Sequence, residues 1–362
     1  MELYIAGGCG EHGRNSFLLQ EGNNSILVDC GNINGEEKPY PKLNHNQIKS
    51  IKYLLITHSH EDHTGAIKWL LKEGFSGKVV LSKETYKQMN CKLEHTICLD
   101  EQGQHHELED DLLVEYGRSG HCEGALWYLI KWNGKKVLFS GDYCEHSKIY
   151  TCDKLRKKEA ELAVLDCAYG LDRMGAIKSK ENLYEEIKHW LAKRKNILLP
   201  VPRYGRGLDI MKELLQLKEA QLVAEEDLIQ QCRQSNKFNQ SEISRLVKYR
   251  GEIVEGYHVY LICDPQLKKV ENKQFASQII IRKDKIIFTG NIEKKSYSEM
   301  IYNAGAALKK KYYVHQNLQE AKELISKNAF CKVVLAHSGE IFEKKDVGER
   351  VIPLVTGEKI IL

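Results

Sequence analysis

Tyr53-Leu-Leu-Ile-Thr-His58-Ser-His60-Glu-Asp62-His63-Thr-Gly-Ala-Ile-Lys-Trp-Leu-Leu71 is the stretch that decides the reading of the chain. Tyr53 to Ile56 is a short apolar run of the kind that forms a buried strand. Ala66, Ile67, Trp69, Leu70 and Leu71 follow at helical spacing. His58, His60, Asp62 and His63 therefore fall on a strand-to-helix loop, where a rigid scaffold can hold chemically active groups. Neutral imidazoles with a carboxylate suit zinc and, less selectively, manganese or iron. A lone histidine in a loop is usually just solvated. Four donors directly after an apolar strand exceed what one three-ligand ion needs.

At 362 residues the chain has ample capacity for a core, as one large domain or two ordinary ones. Its 11 cysteines include no Cys-x-x-Cys pair, which argues against a zinc ribbon or a disulfide framework. A reducing, cytoplasmic compartment fits that usage. No stretch approaches the roughly 18 apolar residues of a membrane span, and the start lacks the basic and apolar regions of an export signal, so no membrane association is expected. A net charge of +4 neither demands a polyanionic partner nor opposes one.

Read in order, the chain repeatedly ends an apolar strand on an acid or a histidine. Glu2 to Ala6 leads into the glycine-rich loop Gly7 to Asn15, which can be a hairpin connection or a nest of backbone N–H groups for phosphate. The strand Ile26 to Val28 ends in Asp29, placed either to cap a turn or to hydrogen-bond a ligand histidine. Lys78 to Leu81 is a strand, and Ser82 opens a helix from Lys83 to Met89. Residues 90 to 110 are polar and uninformative. Asp111 to Tyr116 leads to His121 in a glycine-rich loop. Trp127 to Trp132 and Lys135 to Ser140 form a hairpin through Asn133-Gly134, the pair a type I′ turn favours, and its second strand delivers Asp142. Leu162 to Leu165 delivers Asp166.

Beyond that point the texture changes to alternating helices and strands: a helix over Glu181–Lys193, a strand over Asn196–Leu199, a basic loop with Arg203 and Arg206, and a helix over Leu208–Leu217. Residues 218 to 256 read as surface helix and loop. Tyr257–Cys263, Gln278–Arg282 and Lys285–Thr289 read as strands. Such alternation implies a second, parallel-paired sheet. The first style then returns, with His315 before a helix over Leu318–Ile325 and His337 after the strand Cys331–Leu335. Arg350–Val355 and Lys359–Leu362 are expected to pair through Thr356-Gly-Glu358. Without a linker or a fixed-period repeat, the second unit looks inserted rather than appended.

This order of residues resembles the β-CASP branch of the metallo-β-lactamase superfamily, nucleases that include ribonuclease J, Artemis and the pre-mRNA 3′-end-processing endonuclease. The likeness runs from Gly7-Gly-x-Gly-x-x-Gly-Arg14 to Pro353. Asp29 matches motif 1, His58-x-His60-x-Asp62-His63 motif 2, His121 motif 3 and Asp142 motif 4, while Asp166, His315 and His337 match motifs A, B and C. Pro200-x-x-x-x-Gly205-Arg206 and Phe288-Thr-Gly290 are similar to segments of the family's inserted domain. Two departures stand out: Tyr-Val-His315 where the family has Ser-Gly-His, and His121-Cys-Glu-Gly-Ala125 where it has His-x-Pro-Gly-Ser.

The resemblance implies an α/β fold, a metallo-β-lactamase αββα sandwich over residues 1–170 and 310–362 with an inserted α/β β-CASP domain over 171–309. It implies two divalent ions, zinc first and manganese as the alternative, one on His58, His60 and His121, the other on Asp62, His63 and His337, with Asp142 shared. Asp29 orients a ligand histidine. Asp62, Asp166 and His315 are the implied catalytic residues, His315 with Asp166 at the scissile phosphate or the leaving 3′ oxygen. Arg203, Arg206 and Lys309-Lys-Lys311 are candidates for backbone phosphates. The implied activity is phosphodiester hydrolysis on single-stranded RNA. DNA cleavage within the same family, and hydrolysis of a small phosphodiester or thioester by the same fold, are the rivals, together with a non-catalytic subunit that has lost its metals. A homodimer is compatible with all of them.

Overall fold

The computed structural model describes residues 1–89, 91–100, 104–217 and 221–362. It divides into two compact units, one of Met1–Glu145, Tyr150–Arg173 and His315–Leu362, the other of His146–Ile149 and Met174–Val314. In chain order the first contains β1 (Glu2–Gly7), β2 (Ser16–Glu21), β3 (Asn24–Val28), α1 (His45–Ser50), β4 (Ile51–Leu55), α2 (Glu61–Thr64), α3 (Ile67–Lys72), β5 (Lys78–Ser82), α4 (Lys83–Gln88), β6 (Thr96–Leu99), β7 (His105–Glu109), β8 (Leu112–Arg118), β9 (Leu126–Trp132), β10 (Lys135–Phe139) and β11 (Glu159–Asp166). The second contains α5 (Ala176–Ala192), β12 (Ile197–Pro200), α6 (Arg206–Leu214), β13 (Leu222–Ala224), α7 (Glu226–Gln234), α8 (Gln240–Ile243), β14 (Leu246–Lys248), β15 (Val259–Ile262), α9 (Val270–Ile281), β16 (Lys285–Phe288), α10 (Tyr297–Asn303) and β17 (Leu308–Lys309). The chain returns to the first unit with α11 (Leu318–Ser326), β18 (Ala329–Ala336), α12 (Lys344–Val347) and β19 (Lys359–Ile361).

Two sheets make the first unit, in the orders β19-β1-β2-β3-β4-β5-β6 and β18-β11-β10-β9-β8-β7. Side chains alternate faces along a strand, and here both faces are apolar. Phe17, Leu19, Ile26, Val28, Tyr53 and Leu55 of the first sheet share one core with Tyr128, Ile130, Val137, Phe139, Leu162 and Val164 of the second. The intervening residues face outward. Leu18, Leu27 and Leu54 pack with Ile48 of α1 and Ile67 and Leu70 of α3, while Leu129, Leu138, Ala163 and Leu165 pack with Ala321, Leu324 and Ile325 of α11. Helix, sheet, sheet, helix is the result, the αββα sandwich expected from the resemblance.

Local chemistry sets several joints. Asn133 and Gly134, at φ 46° and 73°, turn β9 antiparallel onto β10. The Ser82 hydroxyl accepts the Thr85 N–H at the start of α4 and donates to the Gly124 carbonyl at 2.7 Å, which fastens the loop carrying His121. The glycine-rich loop joins antiparallel β1 and β2, so it is a hairpin connection.

The second unit is a parallel sheet in the order β14-β13-β15-β12-β16-β17. Three expectations are corrected. Gln278–Arg282 is not a strand but the end of α9, because Phe275, Ala276 and Ile279 bury at helical spacing while Ile281 is 80% exposed. In the stretch 218–256, residues 218–220 lie outside the described residues, and the rest supplies β13 and β14 to the sheet besides α7 and α8. The C-terminal segments do not pair with each other. Lys359–Ile361 pairs with β1 instead, and Val351 bridges Val333. The uninformative stretch before 110 holds β6 and β7. Among the described residues, no helix is long and apolar enough to cross a membrane.

Candidate metal centre

The carboxyl ends of the first unit's strands assemble the cluster. β4 runs out into Thr57 to His60 and the single turn of α2, whose His63 is buried. β10 runs into Asp142, β11 ends on Asp166, and β18 into His337. Close backbone approach makes this possible. A Cβ on Gly31 would lie 1.7 Å from the Asp62 carbonyl oxygen, so only glycine lets the segment after β3 pass the metal loop. His337 itself sits at φ 64°, and its N–H donates to the Gly8 carbonyl at 2.6 Å, which ties it to the glycine-rich loop.

Asp142 stands at the middle. Its Oδ2 lies 3.3 Å from His58 Nε2 and 3.4 Å from His121 Nε2. The other oxygen, Oδ1, lies 3.2 Å from His63 Nε2 and 3.0 Å from His337 Nδ1. On the first side His60 Nδ1 is 3.0 Å from His58 Nε2 and 3.3 Å from His121 Nε2. On the second, Asp62 Oδ2 is 3.0 Å from His337 Nε2 and 3.8 Å from His63 Nε2. The ligand atoms of His58, His60, His121 and Asp142 lie within 4.8 Å of one another, as do those of Asp62, His63 and His337, and those of Asp142, Asp166, His315 and His337.

Asp29 lies behind this layer at φ 59°. It accepts the Thr57 N–H at 2.7 Å, the Thr57 hydroxyl at 2.8 Å, and contacts His63 Nδ1 at 2.7 Å. A proton on Nδ1 leaves His63 Nε2 free to face a cation. Asp166 is held differently. Backbone N–H groups of Tyr143 (3.0 Å), Ala168 (3.0 Å) and Gln316 (3.4 Å) donate to it, and His315 Nδ1 sits 3.2 Å from its Oδ2.

Electrostatics separates the histidines into two groups. Burial pushes the imidazoles of His58 and His121 down, and that of His60 down to about 3, so the first group is neutral and offers lone pairs. Burial also works against charge on His63 and His337, but the carboxylates of Asp142 and its neighbours outweigh it and hold both rings well above the usual range. Burial raises the Asp142 carboxyl, and the surrounding imidazoles, His337 and His63 foremost, more than reverse it. Donor lone pairs packed this closely repel unless a cation lies among them. His337 Nδ1 is moreover buried without a hydrogen bond. The donor set is that of a divalent-metal site.

Sequence reasoning missed Asn15, whose side-chain nitrogen is 3.0 Å from His63 Nε2, and Thr57, the partner of Asp29. His12, whose Nδ1 is 3.1 Å from the His337 carbonyl, was missed too. Asn15 and His12 belong to the loop read only for its glycines, and Thr57 stands directly before His58. Arg203 and Arg206 belong to the second unit. Arg203 pairs with Asp227 at 3.0 Å, and Arg206 donates to the Thr289 carbonyl at 3.1 Å.

Residues 9–183 match the family model described as "Metallo-beta-lactamase superfamily". The chain carries a metallo-beta-lactamase superfamily domain. It is similar to the transcription termination factor FttA of Methanothermobacter thermautotrophicus, 27% identical over 245 residues that make up 58% of this chain and 38% of that protein. It is also similar to the ribonuclease TTHA0252 of Thermus thermophilus, 26% identical over 193 residues, 47% of this chain and 44% of that one. The chain spans less than half of the length of either relative. Among solved structures, a protein of unknown function from Enterococcus faecalis V583 superposes with a TM-score of 0.64 at 11% identity, covering 100% of this chain and 99% of that one. That likeness extends the shared fold over both units.

Proposed function

We propose that this chain is a metal-dependent phosphodiester hydrolase that cleaves single-stranded RNA in a reducing, cytoplasmic compartment, with its second unit as the β-CASP domain. The carrying observation is Asp142, whose two oxygens face two separate donor groups, His58 with His121 and His63 with His337. A carboxylate shared between two ions needs that geometry. The relative TTHA0252 is named a ribonuclease, which favours RNA over DNA. Nitrogen-rich donors favour zinc over manganese.

Two bound divalent ions would supply Lewis acidity toward the phosphoryl oxygens and bring the pKa of water toward neutrality. The chain's residues do the rest. His58, His60 and His121 hold one position, Asp62, His63 and His337 the other, with Asp142 between them. Asp29 and Thr57 fix the His63 ring. Asp166, anchored by backbone N–H groups, fixes His315 through Nδ1, so that Nε2 is the atom that can give a proton to the leaving 3′ oxygen. Cleavage then leaves 3′ hydroxyl and 5′ phosphate ends.

The test offers end-labelled single-stranded RNA, single-stranded DNA, duplexes and bis(p-nitrophenyl) phosphate to metal-loaded protein, with elemental analysis alongside. Cleavage of single-stranded RNA with about two ions per chain is expected. Hydrolysis of the small diester with every polynucleotide intact would overturn the substrate assignment. Absence of bound metal after reconstitution would overturn the site.

A further inference from the structure

β17 lies at one end of the second unit's sheet, and the lysines at its end meet α5 and β16 around one indole. Lys310 Nζ is 2.8 Å from Glu186 of α5. Glu186 also accepts the Trp190 indole N–H at 2.7 Å. Over the Trp190 ring stand two ammonium groups, Lys285 at 4.2 Å and Lys193 at 5.0 Å from the centroid. The Lys285 N–H donates to the Asn196 carbonyl at 2.9 Å, which brings the turn Lys193-Arg194-Lys195 alongside. Lys309 is half-buried, and burial together with neighbouring Lys311 lowers its ammonium.

A lysine run on a merely solvated face would spread its charges into water. Here three cations, Lys193, Lys285 and Lys310, meet around one indole and one carboxylate, Glu186, which Lys310 already engages. Two of them are held over an aromatic face, so their heads are oriented rather than free. Crowded like charges repel each other, and a polyanion lying across them relieves the repulsion and releases its own counterions. The indole adds a face on which a base can stack once the ammonium groups turn to phosphates.

We propose that this face of the second unit, Lys193, Lys285 and Lys310 around Trp190, binds the backbone of single-stranded nucleic acid and so anchors long strands. The proposal rests on the nuclease reading for its substrate, and its test separates the two. The full-length, metal-loaded chain is compared with its Lys193→Ala, Lys285→Ala, Lys310→Ala variant and with the corresponding triple arginine variant. Affinity for RNA of about thirty nucleotides is measured across a salt series, and cleavage is measured on that strand and on one of about six, which has few phosphates to offer a second site.

At about 0.7 of slope per phosphate contact on a single strand, loss of three lysines should lower the dependence of log affinity on log salt by about 2. The alanine variant should show a raised KM on the long strand with kcat retained and with the short strand unaffected. The arginine variant should behave as the parent. An unchanged salt slope overturns the proposal. Equal loss on both strands does so too, as does binding of polyglutamate, rather than RNA, that depends on these lysines, since that assigns the face to an acidic protein partner. If neither strand is cleaved but the slope still falls, the nuclease reading fails and the anchor stands.

Discussion

Asp29→Asn separates an electrostatic role from a backbone one. Asp29 is 1% exposed and in the left-handed region at φ 59°, which asparagine tolerates, whereas alanine there adds roughly 1–2 kcal/mol of strain. In the variant, Asn Oδ1 can still accept the Thr57 N–H. Its amide nitrogen replaces the oxygen that faces the Thr57 hydroxyl and His63 Nδ1, at 2.8 and 2.7 Å, so a donor confronts a donor. A hydrogen bond to a charged group contributes about 1.5–3 kcal/mol, and the imidazole can avoid the conflict by moving its proton to Nε2, the atom a cation needs. The expected outcome is a roughly 10- to 100-fold loss of affinity at the Asp62, His63 and His337 position. Affinity at the His58, His60 and His121 position should change by less than about threefold, and the fold should persist. Competition against a chromophoric chelator, with circular dichroism on the same samples, reads each quantity. Equal weakening of both positions, or of neither, would refute the role assigned to Asp29.

Other substitutions probe separate layers of the same site. His315→Ala should lower the cleavage rate by about 10²- to 10⁴-fold with metal content unchanged, because its Nδ1 faces Asp166 at 3.2 Å, closer than Asp142 at 3.7 Å; loss of an ion alongside activity would instead assign the ring to the donor group of Asp142, Asp166 and His337. His58→Ala with His60→Ala should empty the first position while circular dichroism stays that of the parent. Glu11 accepts Arg14 at 2.7 Å through both Nε and Nη2 and the Thr356 hydroxyl at 2.9 Å. Burial raises its carboxyl, but Arg14 foremost brings it below the usual range. A depressed acid stabilises the fold above its ordinary value of about 4.3 and loses that contribution as pH falls through the lowered one. Glu11→Gln should therefore cost about 2 kcal/mol near pH 7, with the gap to the parent closing below about pH 4. A gap independent of pH in urea unfolding would show that charge is not involved.

The sandwich was legible because strands buried on both faces read as continuous apolar runs that stop abruptly at polar or turn residues, and because Asn133-Gly134 permits one tight turn. Three features were not legible, each because something non-local decides them. Ile279-Ile280-Ile281 reads as a strand from β-branched content, yet Ile279 is buried with Phe275 and Ala276 while Ile281 is 80% exposed; the helix wins because the sheet needs one stripe covered, not two faces. β13 and β14 have three residues each, too few to show any period inside a charged stretch. β19 pairs with β1, the two ends of the chain, and no turn signal can announce a partner that far away.

The site divides in the same way between what strand ends announce and what backbone geometry adds. Asp142 and Asp166 give the same signal, an aspartate delivered at the end of a buried strand, and β10 and β11 are parallel neighbours. Their surroundings differ through the supply of N–H groups. Asp166 receives them from Tyr143, Ala168 and Gln316, a supply set by how three loops cross above it, and a carboxylate so engaged is a fixed support on which His315 can lean. Asp142 looks instead onto the rings of His58, His63, His121 and His337, contacts that bring in residues from β4, β8 and β18. A carboxylate surrounded by imidazoles is compensated only if those rings are protonated or if cations intervene. Burial keeps His58, His60 and His121 from taking the protons, so on that side compensation falls to a cation.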